Sequence, residues 1–149
     1  MNLNKILTVS VFLVLFIVIA NIIVGFIPWY SQELPSKTTK TVYCPGDVVG
    51  IIINRNSLMG MKATNVIELV HISKGFIKEI YRYKKDLYLQ KGRSTIQTFH
   101  RLPTLEMSPQ MEYNTYRWQG IITYHVFGYL ERSFTWQTTN FLIEANKSK

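Results

Sequence analysis

The chain has 149 residues, a single cysteine and a net charge of +8. That length suits one domain with an appendage, and one cysteine excludes a small fold stapled by intramolecular disulfides. The basic balance favours acidic partners, although lysines also keep a β-rich surface soluble and guard its edges.

The first predicted element is the run ILTVSVFLVLFIVIANIIVGFIPWY, Ile6 to Tyr30. Between Ile6 and Ile27 there is no charge, and Thr8, Ser10 and Asn21 are the only clearly polar side chains. At about 1.5 Å per residue this stretch reaches about 33 Å, enough to cross the hydrocarbon core. It has no polar face, so it does not read as a surface helix of a soluble fold. Pro28 can end the helix, and Trp29 and Tyr30 carry the amphipathic rings expected at a membrane–water interface. Residues 6–27 are therefore expected to form a signal-anchor that contacts membrane lipid, with 1–5 a short cytoplasmic N-terminus. Cleavage after Ala20, with Val18 at the −3 position, is the alternative. Lys5 on one side and Lys37 and Lys40 on the other make the positive-inside rule close to a tie. A first apolar segment after a very short N-terminus nevertheless implies export of the larger C-terminal part of the chain.

Residues 28–40 read as interfacial residues and a tether, from Pro35, Ser36 and a Thr/Lys run with no apolar period. From residue 41 to 149 the pattern is that of strands. The clearest is YRWQGIITYHVFGYL, where Tyr116, Trp118, Gly120, Ile122, Tyr124, Val126, Gly128 and Leu130 share one parity. That alternation predicts one long half-buried strand with this set inward. Arg117, Gln119, Ile121, Thr123, His125, Phe127 and Tyr129 take the outer face, where Ile121 and Phe127 suggest partial cover. In SFTWQTTNFLIE, Phe134 and Trp136 have one parity and Phe141 and Ile143 the other. One extra residue near Thr138 to Asn140, a β-bulge, would bring all four to one face.

Earlier strands read as CPGDVVGIIINR, TNVIELVHIS, FIKEIYRYKKD, LYLQ and STIQTFHRL. They are separated by breaks at Asn56–Gly60, Lys74-Gly75, Lys91-Gly92 and Pro103–Pro109. Lys74-Gly75 and Lys91-Gly92 are short enough for hairpin turns. Seven or eight strands in about 110 residues predict an all-β fold, a β-sandwich after a single N-terminal transmembrane helix. The aromatic strand, turn and closing aromatic strand ending Phe-Leu-Ile broadly resemble immunoglobulin-like domains in architecture. The Cys…Trp…Cys spacing is absent, and a jelly roll is the second choice.

Nothing in the sequence reads as a catalytic centre. There is no GxSxG, SxxK or HExxH, no Gly-rich phosphate loop and no pair of carboxylates close in sequence. His71, His100 and His125 lie at no ligand spacing, Cys44 reads as buried and inert, and no metal or cofactor is expected. Asn146-Lys147-Ser148 matches a glycosylation sequon but sits at the end of a chain whose Ile, Asn and Lys bias points to an AT-rich bacterial or phage genome. The most suggestive surface signal is KEIYRYKKDLYLQKGR, in which Lys78, Arg82, Lys84, Lys85, Lys91 and Arg93 are interleaved with tyrosines, as on a basic hairpin. The plain alternative is a solvated edge whose lysines discourage pairing.

Together these features predict a single-pass membrane protein that displays a β-sandwich outside the cytoplasm as a binding or assembly module. Its expected partner is an envelope protein or an anionic envelope polymer, not nucleic acid. A secreted binding domain released by cleavage is the second reading, and an envelope hydrolase the third.

Overall fold

A computed structural model describes residues 3–73, 76–103 and 115–144. Lys74-Gly75, the break from Thr104 to Pro109 and the sequon lie outside the described residues. The first element is helix α1, Leu3–Phe26, with no acid in its first turn and no base in its last. Its Lys5–Phe26 stretch is long and apolar enough to cross a membrane, and none of it is buried against the rest of the chain. Such a helix fits either a membrane anchor or a signal sequence. It ends where Pro28 removes a donor. There the Trp29 backbone N–H turns back to the Ile27 carbonyl at 2.9 Å, and its indole N–H donates to the Val24 carbonyl at 2.9 Å.

The rest of the described chain is strands arranged in two sheets. The smaller is built on β4, Val48–Ser57. Along one side of β4 runs β7, Gly92–Arg101; its other side is shared by β1, Tyr30–Gln32, and β2, Lys37–Thr38. The larger is built on β8, Thr115–Val126. On one side β8 pairs with β5, Met61–Ser73, which pairs in turn with β6, Phe76–Leu89. On its other side β8 pairs with β9, Leu130–Gln137, and then with β10, Phe141–Ile143, beside which β3, Val42–Tyr43, lies parallel.

The core lies between the sheets. Val49 and Ile51 from β4 meet Ile67, Leu69, Trp118, Ile122, Trp136 and Phe141 from the larger sheet. Strand β8 follows its predicted alternation: Tyr116, Trp118, Ile122, Tyr124 and Val126 are all at most 5% exposed. Gly120 falls on the same inward parity, where a side chain would run into the Val66 carbonyl and the Trp136 indole, so only glycine fits. Trp136 can then lie across the strand and donate to Asn65 Oδ1 at 2.9 Å. The predicted extra residue in the last strand is also present. From Gln119↔Gln137 to Tyr116↔Phe141, β8 advances three residues (119 to 116) while its partner advances four (137 to 141). The interruption is anchored at buried Thr138, whose backbone N–H donates to the Trp118 carbonyl at 2.8 Å and whose Oγ1 accepts from the Trp118 N–H at 3.1 Å. Phe134 is half-buried, while Trp136, Phe141 and Ile143 are buried in the same core.

Five expectations need correction. The long strand stops at Val126 rather than Leu130. Phe127 and Gly128 have φ of 53° and 80°, the pair of positive values that a tight hairpin turn requires. Phe127 is therefore at a turn tip, not on a strand face. FIKEIYRYKKD and LYLQ form one strand, because Asp86 is held in the ladder opposite Thr64, whose hydroxyl donates to it at 2.9 Å. Residues 28–40 are no tether. They carry β1 and β2, so the sheets begin at Tyr30 and not at residue 41. Two strands of two and three residues are too short to show a period, and their polar side chains are satisfied locally. Tyr30 donates to Gln32 at 2.9 Å and Gln32 to Ser36 at 2.6 Å. Lys91-Gly92 does not turn a hairpin, because β6 and β7 belong to different sheets. Cys44 is only half-buried; it sits in a turn where its backbone N–H donates to Asp47 Oδ2 at 2.9 Å.

Candidate functional site

The crossover from β6 to β7 leaves a crevice on one side of the sandwich. Gly92, at φ 100°, lets the chain leave the larger sheet after Leu89 and enter the smaller one. Among the described residues β6 pairs only with β5, and β7 only with β4. Two strand edges therefore flank one side of the sandwich, with backbone groups along each that no other described strand pairs. Between them is a crevice of about 490 Å³. Ile53, Leu87 and Ile96 give it an apolar lining, Asn65 and Gln97 supply amides, and Lys85 supplies a cation. Tyr88 and Phe99, also in its lining, are 60% and 65% exposed.

Tyr83 on β6 and His100 on β7 join the two sheets across this crevice. The Tyr83 hydroxyl hydrogen-bonds to His100 Nδ1, and His100 Nε2 is 3.1 Å from Thr98 Oγ1. Both rings pack on Trp118, with centroid separations of 6.4 Å for Tyr83 and 5.2 Å for His100. Burial, helped by the charge on Lys85, pushes His100 down to about 4. Burial, with Tyr81 adding to it, pushes Tyr83 up to about 12. Both groups are neutral near pH 7, and a neutral imidazole accepts at one nitrogen and donates at the other, matching its two hydroxyl neighbours.

The six basic residues singled out in the sequence do not form one surface. Arg82 is on the outer face of the larger sheet, bonded to Glu68 and 3.7 Å from Glu79. Lys84 is exposed on the same face by strand alternation. Lys85 points the other way, into the crevice with Asn65. Lys78 lies beyond a register shift, opposite His71, and Lys91 is in the crossover. Arg93 is on the smaller sheet opposite Asn56, beside a shallow groove with Arg55 and Asn54. A single hairpin would have gathered these charges; a crossover between sheets disperses them. Sequence reasoning missed the Tyr83–His100 bridge, although the alternation Ile96, Thr98, His100 in STIQTFHRL carried a signal for it.

The three histidines stay apart: the His71 ring lies tilted against Tyr116 with centroids 5.0 Å apart, His100 bridges the crevice and His125 is 3.5 Å from Glu131. Among the described residues no three His, Cys, Asp or Glu side chains come together as metal ligands.

No family model matches the chain, and no curated protein sequence matches it. Among solved structures it is similar to Spo0M, a sporulation control protein from Bacillus subtilis, with a TM-score of 0.45 and 13% sequence identity. The match covers 80% of this chain and 51% of that one, so the chain spans about half the length of the structure it resembles.

Proposed function

We propose that this chain is a single-pass membrane protein that holds its β domain outside the cytoplasm, as a binding module for an extended segment of an envelope protein. Residues 1–5 are the cytoplasmic end, and α1 is a retained anchor rather than a cleaved signal. The domain is an immunoglobulin-like sandwich. Its unequal sheets suit that class better than a jelly roll built from two Greek keys.

The observation that carries the binding role is the crevice between the edges of β6 and β7. An extended peptide can add to such an edge through its main chain and set alternate side chains into the apolar lining. The exposed rings of Tyr88 and Phe99 would flank it, as aromatic anchors do at interfaces. A binding role rather than catalysis at this crevice is supported by His100, which burial holds at about 4, a poor general base near pH 7, with a tyrosine and a threonine as its partners. The scatter of the six basic residues disfavours an anionic polymer as the main partner.

The test is photo-cross-linking in the native membrane, with the reactive residue at Tyr88 or Phe99 of the full chain. The outer-face position Ile121, 46% exposed, is the control. One defined protein adduct from the two crevice positions and none from Ile121 is expected. Equal labelling at all three, or loss of binding to anionic polymer on reversing Lys84 and Lys85 to Glu, would sink the reading.

A further inference from the structure

The hairpin that joins β8 to β9 reaches back to the helix. At its tip Phe127 meets Trp29 edge-to-face, with ring centroids 5.3 Å apart, and Trp29 is itself bonded to the Val24 carbonyl. Phe127 and Tyr129 are 54% and 66% exposed, and Phe26 at the helix end is 85% exposed. Large aromatic rings gathered where a membrane-crossing helix ends are what the headgroup layer accepts.

Arg132, on the same hairpin, lies directly against the helix. It stands opposite Tyr124, and its guanidinium rests on Gly25, where a side chain would come within 2.9 Å of it. With Ile17, Val18, Asn21, Ile22, Gly25 and Phe26 it forms a groove of about 620 Å³. Ile17 to Phe26 is about 13 Å of helix, so the groove starts at the helix end and runs into the apolar part of a bilayer. Arg132 donates to the Glu131 backbone carbonyl at 3.0 Å and forms no ion pair among the described residues. The Glu131 carboxylate turns to the other face, 3.5 Å from His125. A guanidinium has five N–H donors and cannot lose its charge, and a cation at membrane depth pairs with an anion or reaches for one.

We infer that this groove binds an anionic phospholipid of the leaflet facing the domain, its phosphate on Arg132 and an acyl chain along Ile22, Val18 and Ile17. This rests on α1 being a retained anchor. The bound lipid would brace the β domain at a fixed tilt, with the Phe127 turn seated among the headgroups.

The test uses the full-length protein purified in detergent with equal phosphatidylglycerol and phosphatidylcholine, and native mass spectrometry to count retained lipid. The wild type is expected to favour the anionic lipid about fivefold, the worth of one basic group near an anionic surface. Arg132→Gln is expected to bring the ratio to about one, while Arg132→Lys retains part of the preference. Gly25→Leu, which fills the seat of the guanidinium, is expected to lower the ratio while tryptophan fluorescence still reports a folded domain. A preference that survives Arg132→Gln overturns the site, as does displacement of the lipid by inorganic phosphate alone. Alkaline washing of vesicles carrying the same proteins separates the two ideas. Wild type released by the wash overturns the anchor and the site together. Wild type retained with a ratio of one overturns the lipid site only.

Discussion

The two sides of the sandwich are built from strands of similar length and pattern, yet they differ in burial. On the closed side β8 has partners along both edges, and Trp118, Val126 and Phe141 are at most 1% exposed. On the open side β6 and β7 each have one partner among the described residues. Their inward residues Tyr83, Ile96 and His100 along the crevice are only half-buried, while Leu89, at the end of β6, is fully buried. Alternation thus decides which way a side chain points, whereas the number of neighbouring strands decides how dry it becomes. The closed side can carry most of the stability, and the open side is left with the unpaired backbone that a partner can use.

The largest expected effect tests the closed side. Trp118→Ala should cost about 3–5 kcal/mol, as other large aromatic truncations in packed cores do. Its outward neighbour Arg117→Ala should cost under about 1 kcal/mol. Urea unfolding of the full chain in mild detergent, followed by circular dichroism, measures both. Equal costs would erase the contrast between the faces of β8.

Next is the strand that the sequence hid. Tyr30 is 4% exposed and packs on Phe134 at 5.2 Å and Tyr124 at 6.0 Å. Tyr30→Ala should cost about 3 kcal/mol in the same melts. A residue in a free tether would cost nothing, so a silent substitution there would restore the tether.

On the open side, the Tyr83–His100 bridge predicts a particular response to acid. His100 has an ordinary value of 6.5 when unfolded and about 4 when folded, so the unfolded chain takes up its proton first. Stability from this group is complete above about pH 6.5, falls as the pH drops towards 4, and then levels off. His100→Gln keeps hydrogen-bonding capacity without titrating, and its unfolding free energy should lose that part of the slope between pH 6.5 and 4. A slope unchanged by the substitution would mean that His100 is solvated. Tyr83→Phe, which removes only the hydroxyl of the bridge, should cost about 0.5–1.5 kcal/mol near pH 7.

The smallest effect belongs to the outer face of β6. The Arg82 side chain is 57% exposed in its pairing with Glu68. Arg82→Ala should therefore change stability by under about 1 kcal/mol, and less at high salt. A larger loss in the same melts would show that this edge is held by charge rather than by the β5 ladder.

Much of this was legible in the residue order because it depends on near neighbours. An uncharged apolar run of membrane length satisfies its backbone in a bilayer as a helix, and the parity of Tyr116, Trp118, Ile122 and Tyr124 follows from the pleat. The extra residue near Thr138 could be counted from the aromatic positions alone. Only the tertiary structure decided which strands become neighbours. Lys91-Gly92 looks the same whether the chain folds back beside β6 or crosses to the other sheet. That choice scatters Lys78, Arg82, Lys84, Lys85, Lys91 and Arg93 and brings Tyr83 to His100. Residues 30–32 and 37–38 become strands only because β4 offers them an edge. Strand pairing is a contact between distant parts of the chain, and a local pattern records the face that a strand presents but not the partner beside it.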